Sequence, residues 1–275
     1  MKKIIALICM LLVCFISYSK ENCFASSQEV YVPAIMYHSI YEGRNNAYVL
    51  SPTKLEQDLI YLKENGYNTI FISQLIDYVD GKEELPEKPI IITFDDGYYN
   101  NYATVYPLVK KYNAKCNISV VGSYIDKKEE YRSKYFSYMN WEEVKELASS
   151  PYFEIHNHSY DLHSITYKRH GVKKNSNEDE ISYKQTLLTD TKKCENKLEE
   201  LIGKQVKCYC YPFGIYDELS DSILKESGYR VVLTCQEKIN KINKNQDLIR
   251  VSRYNRPCWT STYEFFSKIE KDLKN

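Results

Sequence analysis

Short apolar runs alternate along this chain with segments whose apolar residues recur every three or four positions. "VPAIMYHS", "NTIFI", "KPIIITFDD", "KCNISVVG", "YFEIHNH", "VKCYCYPFG", "YRVVLTC" and "LIRVSR" read as strands. "KPIIITFDD" is apolar at successive positions, as a parallel strand covered on both faces must be. Leu55, Leu59 and Leu62 mark a helix over about 52–65. Further helical patterns fall at about 74–78, 102–112, 140–150 (begun by Asn140), 181–201 and 217–227, with a last one from about Thr262. The polar stretch from Ser164 to Asp179 predicts a long surface loop. Strand followed by helix, repeated seven or eight times, predicts an α/β fold: a distorted (β/α) barrel of seven or eight parallel strands, in one domain over 31–275. A doubly wound open sheet is the competing architecture.

The first residues follow another pattern. Two lysines precede an apolar run from Ile4 to about Tyr18, and small residues surround Ala25. This predicts a signal peptide over 1–25 or, if uncleaved, an N-terminal membrane anchor, and so a secreted or cell-envelope-associated protein with a membrane tether as the variant. Cys116, Cys194, Cys208, Cys210, Cys235 and Cys258 would then lie where disulfides can form, although Cys208 and Cys210 share a strand face and are poorly placed to bridge each other. No Cys-x-x-Cys pair suggests structural zinc. The 37 basic residues balance 37 acidic ones, which points away from nucleic acid as a partner.

Barrels assemble their chemistry where strands end. His38 ends the first strand, Asp95 and Asp96 the third, His156 and His158 the fifth, and Tyr211 to Gly214 the sixth. Neighbouring strand residues face opposite ways, so Asp95 and Asp96 reach one place only if the strand stops at Gly97. The pair is either a solvated turn or a metal ligand beside a general base. Three of the five histidines cluster in "FEIHNHSYDLH", where His163 can return from a loop to the site that His158 faces. Two imidazoles and one carboxylate leave coordination positions open, which suits hydrolysis of an amide or ester, with the second carboxylate taking a proton from water.

"TFDDG", "HSYDLH" and "YPFG", in that order, resemble the motifs of the polysaccharide deacetylases, carbohydrate esterase family four, from about Val32 to the C-terminus. "VPAIMYHSI" and "YCYPFGIYD" are similar to the poly-N-acetylglucosamine deacetylase branch of these NodB-homology domains. The resemblance implies Asp95 as base and Asp96, His158 and His163 as ligands of one divalent ion. Zinc is the default, and cobalt, nickel or manganese also suit the donors. It further implies that Ser159 bonds within the ligand loop and that Tyr211 and Pro212 bound the oxyanion site, through the Tyr211 N–H.

Two departures follow. Cys210 stands where the family carries an arginine, so Arg253 or Arg250 becomes the candidate to orient Asp95. No histidine follows His170, and the resemblance to the branch whose N-terminal strand ends in Tyr-His implies His38 as the general acid, its alternative being a strand-end histidine bonded to backbone. His156 shares that ambiguity, and His170 reads as solvated. Tyr98, Tyr160, Tyr211 and Trp259 fall near loop ends where they could stack on sugars, whereas Trp141 reads as core. The implied activity is removal of N-acetyl groups from amino sugars in a cell-wall or exopolysaccharide polymer: peptidoglycan, a chitin-like chain or poly-N-acetylglucosamine. An O-acetyl esterase acting on a glycan and a catalytically weak glycan-binding envelope protein are the competing readings.

Overall fold

A computed structural model describes residues 29–43, 46–127, 131–166 and 169–274, and the leader expected over 1–25 lies outside them. Nine strands form the main sheet: β1 (Ala34–Tyr37), β2 (Asn68–Ile70), β3 (Pro89–Phe94), β4 (Cys116–Val120), β5 (Phe153–Asn157), β6 (Cys208–Cys210), β7 (Val231–Leu233), β8 (Ile249–Val251) and β9 (Tyr254–Asn255). The helices are α1 (Pro52–Glu64), α2 (Ile72–Val79), α3 (Tyr106–Tyr112), α4 (Trp141–Ser149), α5 (Glu180–Ile202), α6 (Glu218–Glu226) and α7 (Thr262–Leu273), with single turns at Gly122–Ile125 and Pro212–Gly214 and a π-turn at Asn101–Val105.

The sheet runs β8-β7-β6-β5-β4-β3-β1-β9, every pair parallel, with β2 beside the start of β3. Its two end strands are consecutive in the chain, joined only by Ser252 and Arg253. Three Cα steps span at most about 11 Å, so the sheet must curl until its edges nearly meet. That connection selects the barrel over the open sheet. Tyr254–Asn255 pairs with β1 as a strand of its own, which the apolar pattern did not reveal.

The continuous apolar run of β3 is explained by its two neighbours. Ile90, Ile92 and Phe94 pack outward with Leu55, Leu59, Val105 and Val109, while Ile91 packs inward with Ala34, Cys208, Cys210 and Val251. The helix starts are capped as their sequences suggest: Ser51 accepts from Lys54 N before α1, and Asn140 and Glu143 form a reciprocal capping box on α4. The 164–179 segment is less irregular than predicted, because Ile165–Thr166 and Arg169–His170 pair antiparallel.

Two buried polar clusters hold the barrel's frame. Asn117 accepts from Ile72 N and donates to the carbonyls of Ile70 and Ile92, tying β2, β3 and β4 together where β3 changes partner. Beside β1, Arg256 forms a two-point ion pair with Asp58 at 2.8 and 3.0 Å, and Tyr37 and Thr262 donate to the same carboxylate. Both charged side chains of this pair are fully buried, and they lock α1 to the segment between β9 and α7. The cysteines of the described residues are free thiols, four of them buried.

Candidate active site

Asp95 and Asp96 reach one site through a backbone reversal. Thr93 and Asp95 share the inward face of β3, where Arg253 bonds both, and Asp96 would by alternation point outward. Instead Asp96 takes φ +72° and Gly97 φ +78°, two successive left-handed residues that end the strand and swing Asp96 back. Aspartate tolerates this conformation at a modest cost in strain. At Gly97 any Cβ would also crowd Val120 and Ile125 at about 3 Å.

Asp96 meets His158 and His163. Its Oδ1 lies 3.5 Å from His158 Nε2 and 3.2 Å from His163 Nε2, and the three ligating atoms cluster within 4.8 Å of one another. Neither ring donates a well-aligned hydrogen bond, so Oδ1 is a buried acceptor without a partner. Such an atom is costly unless a cation meets it. His158 Nδ1 donates to the Cys210 carbonyl at 2.7 Å, which turns the Nε2 lone pair toward the cluster. The donor set therefore fits one divalent ion with open positions.

Asp95 is held from the other side. Arg253 donates to its two oxygens at 2.7 and 2.9 Å, to Thr93 Oγ1 at 3.0 Å and to the Thr234 carbonyl at 3.0 Å. Burial alone would raise the Asp95 pKa, but the guanidinium, together with His158 and His38, outweighs it and holds the carboxyl below its ordinary value. Cys210 lies beside the pair, its thiol 3.5 Å from Asp95 Oδ2 and 3.3 Å from Arg253 Nη2. Arg250, the other candidate, turns outward and binds Asp221. Arg253 sits at the seam between the sheet's end strands, which is why it can point into the barrel.

His38 Nε2 lies 3.9 Å from Asp95 Oδ2, with the Tyr48 ring edge-on behind it. Burial lowers the His38 pKa, although Asp95 and Asp96 oppose the effect. His156 is elsewhere: it bonds Asn117 inside the barrel and is pushed down to about 4 by burial. His170 is exposed.

Three expectations need correction. The Tyr211 N–H donates to the Leu233 carbonyl at 3.0 Å and is spent on the sheet, so it is not an oxyanion donor. Pro212 has no N–H, and the next one along the turn belongs to Phe213. Phe213 stands at φ +58° with its ring 4.2 Å from that of His163, and only its place in "YPFG" hinted at it. The Ser159 hydroxyl has no partner; its N–H bonds Asn157, and its φ of +70° turns the loop. Among the aromatics, Tyr211 is fully buried against Tyr216, Tyr160 bonds Asp126, and Trp259 remains 62% exposed. Tyr98 stacks on Tyr138, and Trp141 packs against the core while donating to Asp126.

The chain is similar in sequence and in fold to several known proteins. The chain is 23% identical over 264 residues to the poly-beta-1,6-N-acetyl-D-glucosamine N-deacetylase of Escherichia coli K12, covering 86% of this chain and 38% of that protein. Staphylococcus aureus proteins of the same name are 23% identical over 198 residues, 72% of this chain and 65% of theirs. The chain thus spans under two thirds of the length of these relatives. A de-N-acetylase from Aggregatibacter actinomycetemcomitans superimposes with a TM-score of 0.74 at 27% identity, covering 89% of this chain and all of that one. IcaB from Ammonifex degensii shares the fold, with a TM-score of 0.70 at 24% identity over 82% of this chain and 91% of its own. The family model for polysaccharide deacetylase matches residues 82–232, more than half of the chain and the stretch that holds Asp95, Asp96, His158 and His163, so the chain belongs to the polysaccharide deacetylase family.

Proposed function

We propose that the protein is a metal-dependent N-deacetylase of N-acetylated amino-sugar polymers, poly-N-acetylglucosamine foremost because the relatives above carry that substrate in their names. The observation that carries the reading is the convergence of Asp96, His158 and His163 on one point beside a separately held Asp95. Asp96, His158 and His163 would hold the ion, with zinc the first choice for this mixed nitrogen and oxygen set. When bound, a divalent cation lowers the pKa of water and polarises a carbonyl.

Asp95, kept ionised by Arg253, takes a proton from the attacking water. The Phe213 N–H is the candidate donor to the oxygen on which negative charge develops. His38, neutral and facing Asp95, passes that proton to the nitrogen as the C–N bond breaks. One water and one amide give acetate and a protonated amine, the second proton coming from the newly formed carboxyl group. The leader pattern in the sequence supports an activity outside the cell or at its envelope. Among the described residues no helix is long and apolar enough to cross a membrane.

The test is acetate release by zinc-loaded protein from N-acetylglucosamine oligomers, with acetylated xylan as the ester control. Release from the oligomers that Asp95→Asn abolishes is expected. Release from xylan alone would replace the reading by an esterase, and none from either, with glycan binding intact, by a binding protein.

A further inference from the structure

His158 and His163 bracket a loop, and only His158 has a strand at its back. His158 continues from β5 and is tied by its N–H to the Val120 carbonyl. His163 lies five residues on, past Ser159 at φ +70°, and its imidazole must return to within 3.2 Å of Asp96. Backbone contacts steady the near half of this loop: Gly122 N donates to the Ser159 carbonyl and Ser123 N to the Tyr160 carbonyl. The N–H groups of Tyr160 and Asp161 need acceptors from outside the barrel.

We infer that Asp190, on α5, is the positioning residue that sets His163 for the metal. Its Oδ1 accepts the Tyr160 N–H at 2.8 Å and its Oδ2 the Asp161 N–H at 2.7 Å, so one carboxylate grips two successive peptides midway between the ligands. Hydrogen bonds to an ionised acceptor are the stronger kind, and two parallel ones fix direction as well as distance. The Tyr160 ring adds a second hold, with its hydroxyl on Asp126 at 2.6 Å and Lys193 Nζ 3.6 Å from its centroid. Asp190 touches neither ligand; it acts through the peptide planes from which His163 departs. The five-residue ligand spacing therefore works in this chain because a helix reaches over to brace it. This inference rests on the reading of Asp96, His158 and His163 as metal ligands.

The experiment is zinc affinity by competition with a chromogenic chelator, for wild type, Asp190→Asn and Asp190→Glu, beside thermal unfolding of each metal-free protein. Asp190→Asn keeps one acceptor and sets an amide N–H₂ against the other peptide; its zinc affinity should fall about 10–100-fold, with deacetylation regained at saturating zinc. Asp190→Glu keeps both acceptors and should lose less. A merely structural aspartate would lower the unfolding temperature and leave zinc affinity alone, and that result overturns the inference. Both variants binding zinc as wild type does would also overturn it. A wild type that binds no zinc brings down the metal reading itself, an outcome distinct because it appears before any variant is compared.

Discussion

Arg253 grips both oxygens of Asp95, at 2.7 and 2.9 Å, across 158 residues of sequence. The pair is buried, so removing the guanidinium strands a carboxylate that burial pushes toward its neutral form. In Arg253→Met the pH at which Asp95 ionises should move up, shifting the acidic limb of the kcat/KM profile toward alkaline pH. Unfolding stability should fall by about 3–5 kcal/mol. A profile with its acidic limb unmoved would show that Arg253 does not set the base.

Removal of the metal should abolish acetate release and its return should restore it, while zinc at about 100 times its Kd should add about 2.7 kcal/mol to unfolding stability. Asp96→Asn and His163→Ala should remove that stabilisation. Thermal scans of the three proteins with and without zinc check this, and equal shifts in all of them would place the ion elsewhere.

His38→Gln keeps the ring volume roughly and loses the proton-transfer nitrogen. A fall in kcat of about 10²–10⁴-fold with KM little changed is expected for a lost proton-transfer group. Steady-state kinetics on one N-acetylglucosamine oligomer decides it; a wild-type kcat would reduce His38 to a strand-end histidine.

Asp126 accepts from Trp141 Nε1, Tyr160 Oη and Lys197 Nζ at 2.6–2.8 Å. Burial would raise its pKa, but Lys197 and the two ring donors bring it down to about 2. Because the folded value lies below the unfolded one near 4, its contribution is complete above about pH 4 and drains away as the pH falls toward 2. After allowance for partial exposure this is about 1–2 kcal/mol. Urea titrations at pH 6 and pH 3 should show Asp126→Asn closing its gap to wild type at the lower pH.

Asp58→Asn leaves Arg256 buried with an incomplete partner and should cost about 3–5 kcal/mol in urea unfolding. The cluster lies away from the ligand atoms, so zinc affinity at temperatures where the variant is folded should match wild type. A loss of zinc binding there would mean that the frame and the site are coupled.

The barrel class, most of the strands and helices, and the candidate set Asp95, Asp96, His158 and His163 that the fold brings together were legible along the chain. Burial on two faces and helical amphipathicity are local properties that write themselves into residue order. Adjacent aspartates before a glycine and clustered histidines are local too. Tertiary structure decided which arginine meets Asp95, because Arg250 and Arg253 are three residues apart and only the seam between β8 and β9 turns one inward. It also decided that the Tyr211 N–H belongs to the sheet, that Phe213 lies against His163, and that Asp190 braces the ligand loop. Each of these depends on how separate elements abut, and a partner supplied from a distant helix or strand leaves no periodic trace beside the residue it serves.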